Sequence, residues 1–137
     1  MIGILIVSHG AFGEALIHCA SHVLGKRPLR VRQVGVTVHD DPDLILPIAQ
    51  DLIRQLDEGQ GVLVLTDMVG ATPANIASRL RIADKVEVLS GASLPMLVRA
   101  LTYRNEDLAT VVAKAMSGGH DGIVHLAPQG SNAAKGS

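Results

Sequence analysis

The chain has 137 residues, 47% of them hydrophobic, with 1% aromatics, a formal net charge of -1 and one cysteine, Cys19. That length and apolar content support one folded domain with an aliphatic core. The weak charge and scarce aromatics exclude a basic or stacking surface for nucleic acid, and one cysteine excludes an internal disulfide.

Ile2-Gly3-Ile4-Leu5-Ile6-Val7 is a β-branched apolar run that stops at Ser8-His9-Gly10. Such a run suits a strand buried on both faces. It lacks a basic leader, so no secretory signal is predicted, and no apolar run reaches membrane-spanning length; a cytoplasmic protein is expected. Ala11 to Leu24 then has helical spacing, with Phe12, Leu16, Cys19 and Val23 on one stripe. On that stripe Cys19 reads as a buried core residue. His18 and His22, with Glu14 one turn earlier, form either a metal stripe or, more economically, the solvated face of the helix.

Arg30 to Val38 alternates and predicts a second strand. His39-Asp40-Asp41-Pro42-Asp43 is turn chemistry ahead of a helix that presents Ile45, Ile48, Leu52 and Leu56. Pro47 favours a late helix start at Asp43, because proline is tolerated in a first turn only. Gly61 to Thr66 is a third buried strand, followed by Asp67-Met68-Val69-Gly70-Ala71. Thr72-Pro73 reads as a hydroxyl cap and a first-position proline, opening a helix to Leu80. Met68, beside the site, reads either as part of a docking surface or, more economically, as a loop methionine packed on the core. Lys85 to Leu89 is a fourth strand, and Ser93 caps a helix over Leu94 to Tyr103. A further helix over Asn105 to Met116 is closed by Gly118-Gly119, and Gly122 to Leu126 reads as a short edge strand. The domain is placed at 1–126, with 127–137 a flexible tail.

Alternating strands and helices predict a three-layer α/β/α domain around a mostly parallel four-stranded sheet. Three strand ends then share one edge: Ser8-His9-Gly10, Asp67 to Pro73, and Ser90 to Pro95. If the first and third strands are neighbours, a crevice opens where the chain reverses direction. His9 and Asp67 face each other across it. An imidazole attacks phosphorus through an unprotonated ring nitrogen, and an ordinary one, with a pKa of about 6.5, is mostly neutral at pH 7. A carboxylate that accepts from one ring N–H fixes the tautomer and aims the other nitrogen outward. Gly10, Gly70, Ala71 and the Thr72 hydroxyl offer donors for a phosphoryl group. Taken singly, His9 is a strand-ending histidine and Asp67 a turn residue; at one edge, they read as a phosphohistidine site. No GxxxxGK[ST] or strand-linked GxGxxG occurs, no metal cluster stands out, and no cofactor is expected.

Ser8-His9-Gly10, Thr66-Asp67-Met68-Val69-Gly70-Ala71-Thr72-Pro73-Ala74-Asn75 and Gly91-Ala92-Ser93-Leu94-Pro95-Met96-Leu97, in that order, resemble the enzyme IIA domain of the mannose/sorbose class of the bacterial phosphotransferase system. The resemblance implies a homodimer that exchanges an antiparallel edge strand. It implies that His9 takes phosphate from the carrier protein HPr and passes it to an enzyme IIB, in sugar uptake or regulation. Asp67 would orient His9, and the Gly70–Thr72 segment would hold the phosphate. Val69 and Ala71 stand where some members carry an aromatic residue and a second glycine. No IIB domain follows, so a separate IIB is expected, along with association with membrane permease subunits. Two alternatives remain: the phosphocarrier subunit of a dihydroxyacetone kinase, and a chelatase-like metal-binding protein with His39 as the second ligand.

Overall fold

The computed structural model describes residues 1–128. Its elements run β1 (Gly3–His9), α1 (Phe12–Leu24), β2 (Val31–Val36), α2 (Pro42–Leu56), β3 (Val62–Thr66), α3 (Thr72–Ser78), β4 (Val86–Leu89), α4 (Leu94–Tyr103) and α5 (Leu108–Asp121). The four strands pair in parallel in the order β2-β1-β3-β4.

Strand alternation divides the core in two. Ile4, Ile6, Leu63 and Leu65 pack with Leu16, Ile17, Leu97 and Val111 of α1, α4 and α5. Leu5, Val7, Val62 and Val64 pack on the opposite side with Ala49, Ile53, Ile76 and Ala77 of α2 and α3. Successive side chains on a strand point to opposite faces, so an unbroken apolar run is what a doubly covered sheet requires. The expected three-layer α/β/α architecture is the observed one. Because β1 sits between β2 and β3, the chain crosses from one side of β1 to the other through α2. That reversal opens the sheet edge between the carboxyl ends of β1 and β3.

Several local expectations are corrected. The buried face of α1 is Gly13, Leu16, Ile17 and Ala20, rotated from the predicted stripe, and Cys19 is exposed. Helix α2 starts at Pro42, capped by the Asp41 side chain, which accepts from the Asp43 N–H at 2.9 Å. Pro47 therefore lies inside the helix, where it lacks the N–H that would bond the Asp43 carbonyl.

Helix α5 starts at Leu108 under an Asp107 cap and passes straight through Gly118-Gly119. Those glycines do not stop it, because they face α4. A Cβ on Gly118 would lie 2.7 Å from the Arg99 Cβ and 3.0 Å from the Pro95 carbonyl oxygen. Gly122–Leu126 forms no strand: residues 123–128 carry no regular structure, and Ile123, Val124 and Leu126 are exposed. An edge strand needs a neighbouring backbone, and none within the described chain pairs with this segment. Most of the 127–137 tail lies outside the described residues.

Candidate functional site

β1 is buried until its last residue, so the strand delivers His9 into solvent at the sheet edge. Gly10 follows with φ +47°, a left-handed turn that lets the chain leave the sheet and enter α1. Its N–H donates to the Val36 carbonyl at 3.0 Å. Gly35 makes the close approach of β2 possible: a Cβ there would meet the Gly10 carbonyl oxygen at 2.2 Å. Gly10 thus shapes the turn, and its amide is already committed rather than free for a phosphoryl oxygen.

β3 ends one residue before Asp67. Parallel pairing of β1 with β3 sets the carboxyl ends side by side, with Val7 opposite Thr66. Asp67 Oδ2 accepts from the His9 backbone N–H at 2.9 Å and lies 2.7 Å from His9 Nδ1. Its Oδ1 accepts from the Met68 N–H at 2.9 Å. Burial pushes the Asp67 carboxyl up, but the His9 N–H, the His9 ring and the Met68 N–H outweigh it, and the carboxyl is held below its ordinary value. Asp67 is therefore ionised at neutral pH and can only accept. The ring proton then belongs on Nδ1, an assignment made from the hydrogen-bond partner. Nε2 is left with its lone pair on a side chain that is 55% exposed, while Asp67 is 14% exposed. The pair is a half-buried acceptor holding an exposed imidazole.

The end of β3 is tied to the loop that follows β4. The Gly91 N–H donates to the Asp67 carbonyl at 3.1 Å and the Ala92 N–H to the Thr66 carbonyl at 3.0 Å. Gly70 has φ +87° and open space where a Cβ would stand. It turns the chain into α3, whose cap position is Ala71 in extended geometry, with Thr72 and Pro73 as its first two residues. Thr72 is thus one residue inside the helix, and its hydroxyl does not cap it. Gly70 and Thr72 are exposed and Ala71 half-buried, all on the segment that follows Asp67.

The apolar residues around this edge are exposed where the sequence reading prefers a core role for Met68 and Phe12 and a strand position for Val38. Met68 and Val69 are 61% and 75% exposed, so Met68 does not pack on the core. Phe12 opens α1 and Val38 follows β2, and both are exposed on the same edge. The signal was available: large apolar side chains crowd loops that carry the polar constellation. His39 sits on the exposed loop after β2, where Thr37 and Asp40 bond each other. No group of three or more His, Cys, Asp or Glu side chains is placed to hold a metal ion among the described residues. No helix there is long and apolar enough to cross a membrane.

Known proteins share this fold. Residues 3–116 match the family described as PTS system fructose IIA component. The chain is 33% identical over 129 residues to the mannose-specific EIIAB component of Escherichia coli K12, covering 91% of this chain and 39% of that protein's length. The phosphotransferase system component EIIA of Streptococcus agalactiae superposes with a TM-score of 0.81 at 30% identity, covering 91% of this chain and 97% of that one. A mannose/sorbose-specific IIA subunit from Enterococcus faecalis has the same fold, with a TM-score of 0.82 at 18% identity over 95% and 98% of the two chains. The match over most of its length, on a fold shared with solved EIIA proteins, shows that the chain belongs to the mannose-type IIA family of the phosphotransferase system.

Proposed function

We propose that this chain is a phosphoryl carrier of a phosphoenolpyruvate-dependent sugar phosphotransferase system, with His9 as the acceptor. The observation that carries the reading is the 2.7 Å contact between His9 Nδ1 and Asp67, which takes the proton of the neutral ring onto Nδ1 and turns Nε2 away from the carboxylate on an exposed side chain. The Nε2 lone pair attacks the phosphorus of a phosphohistidine on HPr. A new N–P bond forms, the donor N–P bond breaks, and the electron pair returns to the donor imidazole. Positive charge that develops on the His9 ring is balanced by Asp67 through Nδ1–H. The reverse geometry then passes the group to an enzyme IIB.

The Gly70 and Thr72 amides and the Thr72 hydroxyl hold the phosphoryl oxygens, the Ala71 N–H being turned to the Met68 carbonyl at 3.4 Å, and Gly10 sets the angle at which His9 is presented. Exposed Phe12, Val38, Met68 and Val69 supply the docking surface, since desolvated apolar contact around a reacting atom excludes water. Residues 1–126 act as one carrier unit in the cytoplasm, alongside membrane permease subunits. The dihydroxyacetone kinase and chelatase-like readings are not favoured, because the matched family is that of sugar phosphotransferase IIA components.

The chain works as a homodimer. β4 is the sheet's last strand, and exposed Ile123, Val124 and Leu126 follow α5 beside it. Within the described chain the outer edge of β4 is bridged only at Val86, by Ile82, and an exposed apolar segment can complete the rest of such an edge by backbone pairing. Incubation with labelled phospho-HPr tests the acceptor: one acid-labile phosphoryl group per chain is expected, and none on His9→Ala. Uptake by folded His9→Ala removes the assignment.

A further inference from the structure

His18 and His22 lie on successive turns of α1, away from the His9 edge, and both are exposed. Their Nε2 atoms approach to 3.3 Å, with ring centroids 4.8 Å apart and the rings nearly perpendicular. Spacing of four residues brings two side chains onto one face, but it does not decide where their tips go. Here the two nitrogens converge. Two imidazole nitrogens bound to one tetrahedral ion at about 2.0–2.1 Å stand roughly 3.3–3.4 Å apart. The observed separation equals that bite, so chelation requires the proton between the two Nε2 atoms to move to Nδ1 of its own ring, and no rearrangement of the helix backbone.

The neighbours limit what else contributes. Glu14, one turn earlier on the same stripe, is held by Arg27 at 2.9 and 3.4 Å. Its carboxylate is occupied, so water completes the coordination. Two neutral imidazoles and water suit a late first-row divalent ion and not the oxygen-seeking Mg²⁺. We propose that His18 and His22 form a chelating site for such an ion, with Zn²⁺ and Cu²⁺ as the probes and Cu²⁺ bound more tightly. The ion clips the last two turns of α1 and leaves His9 free.

The test is a titration of Zn²⁺ into the full chain, free of any affinity tag, read by calorimetry and by the shift in melting temperature. One ion per chain is expected, with Kd at least tenfold weaker in His18→Gln and in His22→Gln. The Zn²⁺-dependent rise in melting temperature should vanish in both, and Cys19→Ser and His39→Gln should bind as the parent does. Both histidines are on the surface, so circular dichroism should show the variants folded. Loss of binding in Cys19→Ser or His9→Ala instead, equal response to Mg²⁺, or no saturable Zn²⁺ binding overturns the proposal. Phosphoryl uptake from phospho-HPr is read separately and should be the same in His18→Gln and His22→Gln as in the parent, so failure of the metal site leaves the acceptor assignment standing.

Discussion

Replacing Asp67 with Asn keeps the shape of the side chain and removes its charge. The carboxylate receives three donors: the His9 N–H and Nδ1–H on Oδ2, and the Met68 N–H on Oδ1. An amide has one acceptor oxygen. If it faces His9, the NH₂ meets the Met68 N–H; if it is reversed, both His9 donors meet the NH₂. At least one bond is lost, and hydrogen bonds to a charged group are worth about 1.5–3 kcal/mol against about 1 kcal/mol for neutral ones. The chemical step suffers as well. Charge developing on the ring, roughly 4 Å from the carboxylate at an effective dielectric of about 20, is stabilised by at most about 4 kcal/mol. The ring is 55% exposed, and solvent screening reduces this to roughly half. A remaining loss of about 2 kcal/mol corresponds to an uptake rate about 30-fold slower. Single-turnover transfer from phospho-HPr measures it, on protein shown folded by circular dichroism. A folded Asp67→Asn chain that accepts phosphate at the parental rate refutes the reasoning.

Other perturbations follow from the same structure. Asp67 is held below its ordinary value in the folded chain, so the stability it contributes is fully present above the unfolded value and is lost as pH falls through the lower folded one. Urea midpoints between about pH 5 and pH 2 should fall less steeply for Asp67→Asn than for the parent. Gly70→Ala places a Cβ in open space but at φ +87°, so it should cost about 1–2 kcal/mol through the backbone and slow phosphate uptake. Arg104 is 6% exposed, and its guanidinium donates to the Ile2, Leu29 and Arg30 carbonyls. Arg104→Met strands those carbonyls at the far end of the sheet and should lower stability by about 3–5 kcal/mol in urea unfolding. Gly118→Ala forces α5 off α4, with an expected loss of about 1–3 kcal/mol seen as a lower melting temperature.

The parts of the site that were legible in the sequence depend on chain-local chemistry. A β-branched run ending in Ser8-His9-Gly10 declares a strand and its exit, and Ser93 does cap α4 by accepting from the Met96 N–H. Facing and packing were harder to read. Cys19 and Ile17 are both apolar enough for the core, and which one turns inward depends on how α1 rolls against Ile6 of β1 and Leu97 of α4. Gly118-Gly119 looks like a terminator because glycine disfavours helix, yet close contact with Arg99 and Pro95 outweighs that preference. Arg104 gave no local signal at all, since its three carbonyl partners lie between 74 and 102 residues away.

Local pattern alone therefore determined an alternating α/β chain, a doubly covered parallel sheet and a polar set on the loops at one edge. These follow from side-chain periodicity and turn chemistry, which operate over a few residues. Strand order decided the rest. Only with β1 between β2 and β3 do His9 and Asp67, 58 positions apart, meet at 2.7 Å. Such a contact depends on which strands pair across the whole sheet, a choice made by the packing of both cores together.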